Sequence, residues 1–104
     1  MNFQIQVSKD RLDRALSVLK HALDRRVTLP ILQHILVHVE EGELTLKSTD
    51  MELAFEAVLP VEGKGERTIA IPGKKFIETV RAYPDGALTL EWPEGGNRLW
   101  LRAK

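Results

Sequence analysis

The sequence has no cysteine and no long apolar run, and each absence excludes a class of protein. Without cysteine, this chain of 104 residues has no disulfides, thiolate zinc sites, iron–sulfur clusters or cysteine nucleophiles. No stretch approaches the roughly 18 apolar residues of a membrane-spanning helix. Residues 1–7 are too polar for a signal peptide. We therefore expect a cytoplasmic protein with no membrane partner.

The chain also lacks net charge, with 15 basic and 15 acidic residues, but the charges are unevenly distributed. The balance is +3 over residues 1–30, −6 over residues 31–66 and +3 over residues 67–104. Hydrophobic residues make up 43% and charged residues 29% of the chain, so we expect residues 1–104 to form a single globular domain. Basic flanks suit a nucleic-acid partner, and they equally suit an ordinary solvated surface.

Hydrophobic periodicity predicts strands and two helices. Apolar alternation indicates strands at residues 1–7, 31–39, 43–48, 51–59, 67–71, 87–92 and 97–102. Apolar spacing of three and four residues indicates one helix from a cap at Ser8 to about residue 24 and a second over residues 74–83. The predicted fold class is α+β, with two helices packed on one face of an antiparallel sheet of at least seven strands.

A shift of 64 residues places the two strand–helix segments in one apolar register, with Ile5 aligned to Ile69. This alignment predicts two pseudo-repeat units, at about residues 1–60 and 67–104. Three predicted strands follow the first helix and two follow the second. The repeat therefore predicts a chain that stops one strand short of a finished domain.

No residue pattern matches a metal or catalytic site. His34 and His38 lie four residues apart on a predicted strand, which separates them by ~13 Å, too far to share an ion. The three serines of the chain lack a nucleophile motif. Glu52 and Glu56 lie on an outward strand face, and residues 63–65 (GKG) lack the spacing of a phosphate loop. We expect no enzyme, metal or cofactor, and a small enzyme with an unusual site is the less favoured alternative.

Basic side chains on the predicted helices form a more informative pattern. Six of them lie on the polar helix faces or follow the first helix: Arg14, Lys20, Arg25, Arg26, Lys74 and Arg81. If the helices pack side by side on a sheet, these bases form one surface suited to phosphates, which are recognised by charge and not by base identity. Two ordinary solvated helix faces are the alternative, since Glu78 partly offsets the bases of the second helix.

The last predicted strand alternates basic and aromatic residues, with Trp100 between Arg98 and Arg102. A tryptophan in this setting can stack on a nucleobase. More often it covers an arginine stem or packs at an interface, which is the interpretation that we favour. If a strand is missing after Lys104, this edge is unprotected and ready to pair.

Several segments resemble the bacterial DNA polymerase III beta subunit family, the sliding clamps. They are residues 1–7, 26–32 (RVTLPIL), 42–46 (GELTL), 48–52 (STDME), 71–76 (IPGKKF) and 84–86 (PDG). The segments occur in the family's order and with compatible spacing over essentially the whole chain. The chain is similar to the first domain of this family, truncated before its last strand.

This resemblance implies a part in a ring of two subunits, each with three such domains, that encircles duplex DNA and confers processivity on the replicative polymerase. Helices line the hole of the ring, and sheets form its outside. Arg26 matches a loop arginine that contacts DNA in the family, and Arg25 adjoins it. The resemblance places four further bases on the helices that face the hole: Arg14, Lys20, Lys74 and Arg81.

The resemblance also implies protein partners. Contact with the second subunit is expected at Lys75, Thr79 and Tyr83 on the second helix and at Trp100 on the last strand. Polymerase and clamp-loader subunits dock in the family between the second and third domains, which this sequence does not match. The alternative function is a stand-alone interaction module that binds a partner by strand addition at the exposed last edge.

Overall fold

The computed structural model describes residues 3–23, 34–49, 54–63, 65–92 and 99–103, with the side chains of the first helix described up to residue 20. Its elements in chain order are β1 (Phe3–Ser8), α1 (Lys9–Leu23), β2 (His34–Glu40), β3 (Glu43–Thr49), β4 (Ala54–Pro60), β5 (Arg67–Pro72), α2 (Gly73–Ala82), β6 (Ala87–Trp92) and β7 (Trp100–Ala103). Two helices with antiparallel strands confirm the predicted α+β class. No helix in these ranges is long and apolar enough to cross a membrane.

Within the described ranges the strands form two antiparallel sheets, where the sequence predicted one. The strand orders are β1-β6-β7 and β4-β3-β2-β5. The segment after β4 returns to β1, where Gln6 and Glu62 exchange backbone hydrogen bonds of 2.8 and 2.9 Å. Gly63 and Gly65 then adopt φ angles of 147° and 107°, a backbone conformation outside the β region. Among the described residues of this segment, pairing with β1 is limited to this one bridge.

Each sheet contains strands from both halves of the chain. β1 pairs with β6, which places Ile5 opposite Leu90. β5 pairs with β2, which places Ile69 opposite Val37. The first strand of each half thus completes the sheet of the other half, and neither half forms its sheet alone.

Local sequence signals explain where α1 begins and which face it buries. The Arg11 N–H donates to Ser8 Oγ at 3.4 Å, as expected of a helix cap. Leu12, Leu16 and Leu19, one helical turn apart, are fully buried. The apolar stripe of α1 therefore holds the helix on the sheets with its polar side outward.

A buried hydrogen bond holds α1 on the sheet, and the buried apolar residues of α2 hold the second helix beside it. Ser48 Oγ in β3 donates to the Leu19 carbonyl of α1 at 3.1 Å. α2 follows Pro72 directly and buries Phe76, Ile77 and Val80. The two helices also contact each other, so their outward faces adjoin.

Candidate nucleic-acid interface

Four of the predicted bases lie on the helical layer. Arg14, Lys74 and Arg81 are exposed, and Lys20 is partly buried. Because the apolar stripes of α1 and α2 face the core, these side chains project from the adjoining outer faces of the helices. The fold thus brings together bases from two distant parts of the sequence. Their contact with DNA stays a prediction, and Arg25 and Arg26 lie outside the described residues.

Two of these bases are paired with carboxylates. Arg14 Nη2 lies 2.8 Å from Asp10 Oδ2, one turn earlier in α1. Arg81 Nε lies 3.5 Å from Asp13 Oδ1, so this pair connects α2 to α1. Exposed pairs of this kind contribute about 0–1 kcal/mol to stability. Their main effect is electrostatic, because each carboxylate offsets a positive charge on the helical face.

The predicted subunit-contact residues gather around a groove between α2 and β7. Lys75, Thr79 and Trp100 line this groove of about 430 Å³ together with apolar side chains. Tyr83 Oη donates to the Leu101 carbonyl at 3.1 Å, which fastens the end of α2 to β7. Within the described ranges, β7 pairs with β6 alone. The role of these residues in subunit contact stays a prediction.

Arg102, two residues after Trp100, is engaged within the sheet. Arg102 Nη2 lies 2.9 Å from Glu91 Oε1, whose side chain is 9% exposed. Glu91 is also the residue opposite Trp100 in the β6–β7 ladder. A role in holding β7 on β6 therefore accounts for Arg102, whereas Arg98 lies outside the described residues.

A polar cluster that the sequence patterns did not predict lies on the outward face of β2. His38 Nδ1 lies 2.6 Å from Thr68 Oγ1, and His38 Nε2 lies 3.3 Å from Glu40 Oε2. Ligand atoms of His38, Glu40 and Glu66 lie within 4.8 Å of one another, close enough to share a cation. The spacing of His38 and Glu40 on one strand could have indicated their proximity, but Glu66 arrives through the β2–β5 register. The Glu40 side chain is 57% exposed to water, and we assign the cluster no function.

Comparisons with known proteins agree with this architecture. Residues 1–102 match the family model of the DNA polymerase III beta subunit, N-terminal domain. The beta sliding clamp of Vibrio cholerae is 33% identical over 104 residues, which cover 99% of this chain and 28% of that protein. The Escherichia coli K12 beta sliding clamp is 34% identical over 82 residues, covering 78% of this chain and 22% of that protein.

Solved structures show the same fold. The crystal structure of the Caulobacter crescentus DNA polymerase sliding clamp superposes with a TM-score of 0.88 at 26% identity, covering 98% of this chain and 28% of that one. The Helicobacter pylori beta clamp in complex with carprofen gives a TM-score of 0.83 at 28% identity, over 96% of this chain and 26% of that one. This chain therefore belongs to the DNA polymerase III beta subunit family and corresponds to its N-terminal domain.

Proposed function

We propose that this chain is the first domain of a ring-shaped sliding clamp that encircles duplex DNA and confers processivity on the replicative polymerase. The proposal is carried by the match of residues 1–102 to the N-terminal domain of the DNA polymerase III beta subunit. A ring tethers by topology, so it requires phosphate contacts weak enough to slide and no base-edge readout. Its role is structural, without catalysis or a cofactor, and its compartment is the cytoplasm.

The helical face supplies the phosphate contacts in this proposal. Arg14, Lys20, Lys74 and Arg81 lie on the adjoining outer faces of α1 and α2. Arg25 and Arg26 follow α1 in the sequence, and their role in this proposal is also to contact phosphate. Long basic side chains suit this task because they neutralise phosphate charge whatever the base sequence.

The ring also requires protein partners. We propose that a second clamp subunit contacts the groove between α2 and β7 through Lys75, Thr79, Tyr83 and Trp100. The groove supports this assignment because it combines apolar walls with polar side chains at its margin. The replicative polymerase and the clamp loader bind other domains of the ring.

The domain itself is built, in this proposal, from two copies of one unit at about residues 1–60 and 67–104. The strand pairing supports this division, because β1 meets β6 as β5 meets β2. The matched positions Ile5 and Ile69 both lie opposite an apolar residue of the other half.

Removal of helical bases is expected to weaken the binding of a short duplex. The variant Lys20→Gln/Lys74→Gln should bind less tightly than the original chain. The slope of log affinity against log salt should flatten by about 0.9 for each phosphate that the protein no longer neutralises. Binding is followed at low salt through backbone amide shifts, which should cluster on α1 and α2 and disappear as salt is added. In the full ring, Arg25→Ala/Arg26→Ala should flatten the slope in the same way.

The matched control removes two bases from the sheets, Lys47→Gln/Arg67→Gln, and should leave the salt slope unchanged. Equal effects of the two double variants would contradict a specific helical surface. An unchanged slope for the Arg25/Arg26 variant would contradict the assignment of those two arginines. Shifts confined to β7 would identify the edge strand as the working surface instead.

Within the described ranges β7 pairs with β6 alone, and its other edge favours a second candidate function, a stand-alone interaction module. Trp100 on this edge is 47% exposed, and edge strands accept further strands. If this function operates, the chain should self-associate in sedimentation velocity, and Trp100→Thr should abolish the association. Val58→Thr is the matched control, because Val58 is 51% exposed on β4, the edge of the other sheet. A monomer at all concentrations, or equal effects of both variants, would count against this candidate.

A further inference from the structure

We propose that Asp13 is a positioning residue that restrains Arg81 and limits how tightly the helical face holds phosphate. This inference rests on the proposed function, because it concerns the same surface of α1 and α2. Its chemical content is a competition between two anions, the carboxylate of Asp13 and a DNA phosphate, for one guanidinium group.

The position of Asp13 between the helices is the first observation. Its Oδ1 atom lies 3.5 Å from Arg81 Nε, and the two side chains are 32% and 47% exposed. Asp13 is near the start of α1, and Arg81 is near the end of α2. The pair therefore draws the guanidinium of α2 toward α1.

The surroundings of the carboxylate are the second observation. Asp13 Oδ1 is buried, and no described group forms a hydrogen bond with it. A desolvated carboxylate oxygen without a hydrogen bond keeps a strong demand for a cation. Arg81 meets this demand by charge alone, since its Nε atom stands at ion-pair distance and not at ideal hydrogen-bond distance. In this arrangement the two terminal nitrogens of Arg81 contact the phosphate, while Nε faces Asp13.

This arrangement suits a protein that slides. When a phosphate leaves Arg81, the carboxylate of Asp13 holds the guanidinium in place. The attraction to Asp13 then partly replaces the lost attraction to the phosphate. This competition for one guanidinium lowers the affinity for any single DNA position and favours movement to the next.

Asp13→Asn tests the inference because it removes the charge and keeps the side-chain shape. We expect the variant to bind a short duplex about two- to fivefold more tightly at low salt, the range typical of one exposed charge pair. The salt slope should steepen by up to about 0.9, because Arg81 no longer shares its charge with a carboxylate and neutralises a phosphate fully. In the Arg81→Gln background, Asp13→Asn should have no such effect. The Arg81 Nε–H resonance of the DNA-free chain should also move when Asp13 is replaced.

Glu78→Gln distinguishes an effect that acts through Arg81 from a general change in the electrostatic field of the helical face. It removes a negative charge from the same face, and no ion pair in the described ranges links Glu78 to Arg81. Its effect should be equal in the original chain and in the Arg81→Gln background. An Asp13→Asn effect that survives in the Arg81→Gln background overturns the inference. If Lys20→Gln/Lys74→Gln weakens binding and Asp13→Asn leaves it unchanged, the inference fails while the proposed function stands. If neither the original chain nor Asp13→Asn binds the duplex at the lowest salt, or if no variant alters binding, the inference is overturned together with the assignment of this surface.

Discussion

Leu16→Ala is expected to lower the free energy of unfolding by about 2–5 kcal/mol. Leu16 is fully buried in the stripe of α1 that packs on the sheets. Truncation removes apolar atoms from the core and leaves a cavity that the surrounding strands refill only in part. Urea denaturation followed by circular dichroism measures the change through the midpoint and slope of the transition.

Val18→Ala is the matched control, on the same helix two residues away. Val18 is 48% exposed, so its truncation should change the free energy of unfolding by no more than about 0.5 kcal/mol. Comparable losses of stability in the two variants would mean that α1 does not bury the face described above. The comparison thus checks which side of α1 is free to present basic residues.

Gly63→Ala is the substitution with the second-largest expected effect. A Cβ atom at Gly63 would lie 2.8 Å from Ile5 Cγ2 and 3.0 Å from the Gln4 carbonyl oxygen, both in β1. The residue also has a φ angle of 147°, which residues other than glycine rarely adopt. Overpacking against β1 and backbone strain together should lower the free energy of unfolding by about 2–4 kcal/mol in urea denaturation.

Gly86→Ala separates the two causes. Gly86 has a φ angle of 134°, but its added Cβ atom meets nothing within 4 Å. Only backbone strain applies there, and the expected loss of stability is about 1–2 kcal/mol. A Gly86 variant as destabilised as the Gly63 variant would show that close approach to β1 contributes nothing.

Most elements of the fold could be predicted from local sequence patterns. The strand at Ala87–Trp92 has the predicted bounds, and the predicted Ser8 cap begins α1. α2 occupies Gly73–Ala82, one residue earlier than predicted. These predictions succeeded because burial on one face imposes a period of two on a strand and of 3.6 on a helix, and both periods are visible in a short window.

The arrangement of the elements required information that no short window contains. The exchange of β1 and β5 between the two halves depends on contacts between strands far apart in the sequence. One sheet was therefore expected, whereas the described strands form two. Residues 63–65 could be excluded as a phosphate loop from their spacing. Only the structure explains Gly63 and Gly65, because this segment passes so close to β1 that a Cβ atom would meet residues of that strand.

Some features of the candidate site could likewise be predicted from the sequence, and others required the tertiary structure. By itself, the amino-acid sequence determined which residues are basic, which helix faces carry them and which family the chain resembles, because residue type and spacing are local properties. Tertiary structure alone decided that Asp13 meets Arg81 and that Glu66 joins His38. These contacts follow from the packing of α1 on α2 and from the β2–β5 register. Both arise from burial summed over the whole core, which no single segment encodes.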